Sequence, residues 1–134
     1  MWRTAVNMIR AHPVIGVGVN TFVLNYSHYK PADDYLHAVY AHNNVLQMAA
    51  ELGLLGVAAF GFLLVQTYGV WQQLLRHDDP WVRVISTGLG CGIIGFLAAG
   101  LLESNLYSSH TNLGFWLWLS TLCALGNAPP LHSH

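Results

Sequence analysis

Three long stretches of this 134-residue chain contain no Asp, Glu, Lys or Arg: residues 52–75, 84–102 and 104–134. No other feature limits the fold as strongly. A helix rises about 1.5 Å per residue, so about 20 apolar residues cross the hydrocarbon core of a bilayer. Charge-free runs of this length, separated by short polar turns, predict membrane-spanning helices. A soluble domain carries about 25% charged residues. Here only 8% are charged and 54% are hydrophobic, too few charges to cover a water-exposed surface. The net charge of −1 excludes a basic nucleic-acid binder, so no nucleic-acid partner is expected.

The pattern along the chain predicts an all-α, polytopic membrane protein with about three spans, preceded by an amphipathic helix and a polar loop. Residues 2–12 form the amphipathic helix. Trp2, Ala5, Val6 and Ile9 fall on one face, and Arg3, Asn7 and Arg10 on the other. Pro13 ends it. The same polar residues interrupt any apolar core of the length that a signal peptide needs. Gly16 and Gly18 open a segment rich in Asn, Tyr and His, read as a loop with one short helix. Residues 1–41 are thus an external layer, and residues 42–134 hold the spans, at about 44–75, 84–102 and 108–125, with a short tail.

In the first span, Asn43, Gln47 and Glu51 recur every four residues and share one face. Residues 54–71 supply 18 mostly apolar positions, about 27 Å of helix. Gly53, Gly56 and Gly61 are expected to admit a neighbouring helix. Residues 76–83, RHDDPWVR, read as a tight polar turn. The next run contains five glycines, a density that suits a packed membrane bundle better than a helix in water. The third span has an apolar heart of only 13 residues, 113–125, with Trp116 and Trp118 near one end. The turn holding Arg76 and Arg83 is expected in the cytoplasm, and residues 103–112, without a cation, outside.

Residues 41–56, AHNNVLQMAAELGLLG, place His42 at the mouth of a membrane helix and Glu51 about two turns inside it. This stretch resembles the signature of the O-antigen ligase and O-antigen polymerase membrane family, where His-Asn, Leu-Gln, Glu and Gly-Leu-Leu-Gly follow in this order. Upstream, Trp2, Ala5, Ile9 and the run His12-Pro13-Val14-Ile15-Gly16-Val17-Gly18, then Phe22, are similar to the family's amphipathic helix and Pro-x-x-Gly-x-Gly turn. The two blocks cover residues 2–62. The resemblance implies a glycosyltransferase that moves a glycan from an undecaprenyl-diphosphate carrier to an acceptor hydroxyl at the outer face of the bacterial inner membrane. It also implies further spans upstream, in this chain's precursor or in a separate membrane chain, so that these residues are the family's C-terminal portion.

Transfer from a diphosphate needs cations for the departing charge and a group that takes the acceptor's proton. His42 matches the family's loop histidine and is the candidate catalytic residue. Arg3 and Arg10 are candidates for the diphosphate, since Arg forks onto phosphate oxygens. The backbone N–H groups near Gly16 and Gly18 could hold an anion.

Each residue also has a plainer reading. His42 would simply start a helix, Arg3 and Arg10 would form the wet face of an interfacial helix, and the two glycines would only make a turn. Glu51 is expected to pack in the bundle with Gln47 or an upstream span as partner. Glu103 and His110 read as boundary residues. No cofactor is implied. The eight His include no HExxH, His37 and His42 are misplaced for one helical face, and His132 and His134 lie on the tail, so no metal is expected. The rival readings are a transport-related protein, because intramembrane Glu often lines solute paths, and a non-catalytic packing unit.

Overall fold

The computed structural model describes residues 1–35 and 38–127. His37, His132, His134 and the expected tail lie outside these residues. Among the described residues the chain is all-helical, in the order α1 (Trp2–Ala11), α2 (Phe22–Tyr29), α3 (Asn44–Leu74), α4 (Pro80–Ala99), a short 3-10 turn (Asn105–Tyr107) and α5 (Ser109–Gly126).

α1 ends before Pro13 as expected, but its buried face differs from the predicted one. Thr4, Ala5 and Met8 are buried, whereas Trp2 is half exposed. The small Ala5 and flexible Met8 let α1 lie close to α3 and α2, and the bulky indole stays at the rim. α2 occupies the expected loop helix. These helices and the first turns of α3 share one core of Ala5, Met8, Phe22, Tyr26, Ala38, Ala41 and Ala50. A second core joins α3, α4 and α5 through Leu74, Ile93, Phe115, Leu119 and Leu122. The Phe115 ring there stacks on Phe96 at 4.9 Å between centroids.

α3 is 31 residues long and broken at Gly53, where φ is 67° and ψ is −166°. The break removes the helical bonds from the N–H groups of Leu54 and Leu55 to the carbonyls of Ala50 and Glu51. The turn at residues 13–18 replaces both. Val17 N–H donates to Ala50 O (2.9 Å) and Gly18 N–H to Glu51 O (3.0 Å). In return, Leu54 N–H donates to Pro13 O (2.9 Å) and Leu55 N–H to Val14 O (3.2 Å). The four backbone groups freed by the break are therefore satisfied, the condition for irregular backbone inside an apolar segment. Gly53 admits this turn rather than a neighbouring helix. Gly61 has open space beside it, and Gly56 faces Leu52 of its own helix.

α4 begins four residues earlier than expected. The Asp79 carboxylate accepts from Trp81 N–H (2.8 Å) and Pro80 occupies the first turn, so much of the predicted turn is helix. α4 also stops at Ala99, short of Leu102. Gly90 in α4 makes room for the Trp71 ring, and Gly100, just after the helix, for Asn44.

Two helices, α3 and α4, are long and apolar enough to cross a membrane, with mean hydropathies of 2.1 and 1.7 over their most apolar windows. Only 28% and 17% of those windows is buried within the chain. Leu54, Phe62, Val65 and Ile94 are all exposed. A soluble core helix would bury these residues, so the apolar surface suits lipid. α5 spans 18 residues but opens on the polar Ser109-His110-Thr111-Asn112 turn, which sets it apart from the other two.

Candidate functional site

The mouth of α3 is built by three consecutive polar residues. Asn43 caps the helix, its Oδ1 accepting from Leu46 N–H at 2.9 Å. Its Nδ2 donates to Leu101 O at 2.7 Å, and its N–H to Ser104 Oγ at 3.3 Å. Asn44 is buried. Its N–H donates to Gly100 O at 2.7 Å, its Oδ1 accepts from Leu106 N–H at 3.2 Å, and its Nδ2 donates to Asn105 Oδ1. Asn105 in turn donates to Phe96 O at 2.9 Å. The start of α3 is thereby fastened to the segment after α4.

This fastening fixes His42. Its backbone is left-handed, φ 51°, a conformation uncommon outside glycine. Its Nδ1 lies 2.9 Å from Glu103 Oε2. The side chains are 50% and 66% exposed, so the pair adds at most about 1 kcal/mol to stability. His42 and Glu103 open onto a cleft of about 300 Å³ lined by Tyr40, Ser104, Asn105, Ser108 and Thr111. Most of the surface these residues turn to the cleft is apolar, so His42 and Glu103 stand out as its ionisable groups. Tyr107, adjacent in sequence, has its phenol pKa raised above the usual value by burial and by the charge of Glu51.

Gln47 and Glu51 stand below the mouth on the same face of α3. Both are buried, at 0% and 1% exposure. Gln47 Oε1 accepts from Ala41 N–H at 2.6 Å, and its Nε2 donates to Glu51 Oε1 at 2.9 Å. Glu51 also accepts from Phe22 N–H at 3.0 Å and Asn20 N–H at 2.9 Å. The carboxylate thus serves the N-terminus of α2, whose own Thr21 makes no side-chain cap bond. Gln47 is the expected partner of Glu51; the other partner is the loop before α2 rather than another span.

The structure does not bring the arginines to this cleft. Arg3 bonds to Asp33 Oδ2 at 2.9 Å, with both side chains exposed. Arg10 is exposed at the end of α1 and has no ion pair among the described residues. Gly16 and Gly18 hold no free anion nest either. Gly16 N–H donates to His12 O, and the next two N–H groups are those that serve the break in α3.

Sequence reasoning missed Glu103, Asn44, Ser104 and Asn105. One signal was available for Glu103. It is the only carboxylate after Asp79, and it ends a charge-free run on the side where the turn pattern places His42.

Two apolar helices that face outward, with a polar mouth at one end, suit a membrane environment. Residues 1–61 match the family model described as O-antigen ligase, as the resemblance in residues 2–62 implied. The match takes in α1, α2, His42 and the broken part of α3. Neither the curated proteins nor the solved structures contain a match.

Proposed function

We propose that this chain takes part in glycosyl transfer from an undecaprenyl-diphosphate-linked glycan to an acceptor hydroxyl, at the outer face of the bacterial inner membrane. The observation that carries this reading is the placement of His42. It lies within the segment that matches the O-antigen ligase model, and it opens, beside Glu103, onto a cleft of about 300 Å³. α3, α4 and α5 form three spans in this reading. The α3–α4 turn with Arg76, and the start of α4 with Arg83, face the cytoplasm, and His42 faces outward.

In the reaction, the acceptor oxygen attacks the anomeric carbon of the glycan. The bond from that carbon to the diphosphate oxygen breaks, and its electron pair leaves with the diphosphate. The acceptor's proton passes to the His42 imidazole. The departing charge needs cations. The structure brings neither arginine to the cleft; Arg10 has no ion pair among the described residues, and Arg3 would first have to leave Asp33. Ligase and polymerase chemistry share this step and differ only in the acceptor.

The test is glycan attachment, read as a ladder on a gel from cells that carry the full-length gene product. His42→Ala should lower transfer by roughly 10² or more at unchanged protein level. His77→Ala, on the exposed opposite turn, should leave the ladder intact. A normal ladder from His42→Ala would remove His42 from the mechanism.

A further inference from the structure

We infer that Glu103 is the positioning residue for His42, holding a proton on Nδ1 so that the ring presents the lone pair of Nε2 to the cleft. The inference rests on the proposed transfer reaction and adds to it a residue outside the matched segment. A carboxylate only accepts hydrogen bonds, so an imidazole nitrogen 2.9 Å from Glu103 Oε2 must carry the hydrogen. A neutral imidazole has one N–H, and its other nitrogen is then the base. Without such a partner the two tautomers interchange, and only one of them can take a proton at the position facing the acceptor.

The backbone supports this pairing from both sides. His42 precedes the two residues fastened to residues 100–106, and Glu103 lies between Leu101 and Ser104, which both accept from Asn43. The two side chains therefore stand on one frame, although 61 positions separate them. The left-handed backbone at His42 is the kind of local strain that functional sites retain. The pair is too exposed to matter much for folding, so orientation is the role left to it. When His42 gains the acceptor's proton, the imidazolium stands beside a carboxylate and its charge is balanced, as in other His–carboxylate pairs.

Two measurements test this. The first is the 15N spectrum of the His42 ring in the detergent-solubilised full chain, recorded where the imidazole is neutral. The wild type should show the proton on Nδ1. Glu103→Gln, whose amide can either accept from or donate to the ring, should lose that preference. A wild-type ring protonated on Nε2, or a spectrum unchanged by Glu103→Gln, would overturn the pairing. The second is transfer. Glu103→Gln should lower it about tenfold or more, part of the roughly 10²–10⁴ contributed by a general base. Glu103→Asp should recover some of the loss. In a His42→Ala background, Glu103→Gln should cost nothing further, because it acts through the ring. Additive losses would show that Glu103 acts independently of His42 and would overturn the inference, as would full transfer by Glu103→Gln. The two failures stay separate: a normal ladder from His42→Ala defeats the transfer role, whereas the ring spectrum alone decides the pairing.

Discussion

Gly16 packs on the Glu51–Leu52 backbone and Gly53 on the Val14–Ile15 backbone across the break in α3, and neither position has room for a side chain. A methyl carbon on Gly16 would lie 2.3 Å from the Glu51 carbonyl carbon, and one on Gly53 would lie 2.3 Å from Val14 O. Both residues are also left-handed, with φ of 69° and 67°. Gly16→Ala and Gly53→Ala should each cost at least the roughly 1–2 kcal/mol of a left-handed non-glycine residue. Each should lower the unfolding temperature in detergent. Gly61→Ala is the comparison, since nothing lies within 4 Å of its added carbon. It should be neutral or stabilising by up to about 1 kcal/mol. Equal behaviour of the three variants would mean that the turn does not plug the break.

The Glu51 network makes a sharper prediction than its sequence position does. All three partners of the carboxylate are donors: Asn20 N–H, Phe22 N–H and Gln47 Nε2. Glu51→Gln keeps the shape but points an NH₂ at one of them. It should cost about 1–3 kcal/mol, the range for a buried donor left unsatisfied. Glu51→Leu strands all three donors and should be worse. Thermal unfolding and membrane expression level read both. Wild-type stability for Glu51→Gln, coupled with a complete loss of transfer, would instead assign the carboxylate to the chemistry.

Much of the helical plan was legible because apolar periodicity and caps are local signals. The end of α1 follows from Pro13, and the pairing of Gln47 with Glu51 from their spacing of four. The break at Gly53 does not. A glycine in an apolar run looks like a packing site, and what opens the helix here is a turn nearly 40 residues away that supplies replacement hydrogen bonds. The Asp79-Pro80 pair suits a turn and a helix start equally, and here it starts a helix. Glu103 stayed hidden for a related reason. Its meaning depends on Asn43 and Asn44 folding back onto residues 100–106, a tertiary contact with no periodic trace.

The orientation of the helices in the membrane can be read with single cysteines. In a background of Cys91→Ser and Cys123→Ser, Ser108→Cys should react with a membrane-impermeant maleimide in intact spheroplasts. Asp78→Cys should react only after permeabilisation. Both positions are exposed, so reactivity reports the side of the membrane. The expectation comes from Arg76 in the α3–α4 turn and Arg83 in the first turn of α4, against the cation-free segment from Glu103 to Asn112. The reverse pattern would put His42 in the cytoplasm and end the proposed outer-face reaction.

Alkaline pH should loosen the layer formed by α1, α2 and the start of α3. Burial raises the pKa of Tyr26, and its hydrogen bond to Asp34 (2.8 Å) adds to the shift. Tyr107 is raised by burial and by the charge of Glu51. Both folded-state values lie above the unfolded value of about 10. The folded chain therefore holds these protons more tightly than the unfolded chain. The stability they confer is complete below about pH 10 and is lost as pH rises through the folded values. Unfolding temperatures in detergent between about pH 8 and pH 11 should fall with a slope to which both phenols contribute. Tyr26→Phe should flatten that slope, and it should cost about 1 kcal/mol at neutral pH because the bond to Asp34 is lost. Adding Tyr107→Phe should flatten it further. A slope that survives both substitutions would assign the alkaline loss to other groups and remove the two phenols from the account.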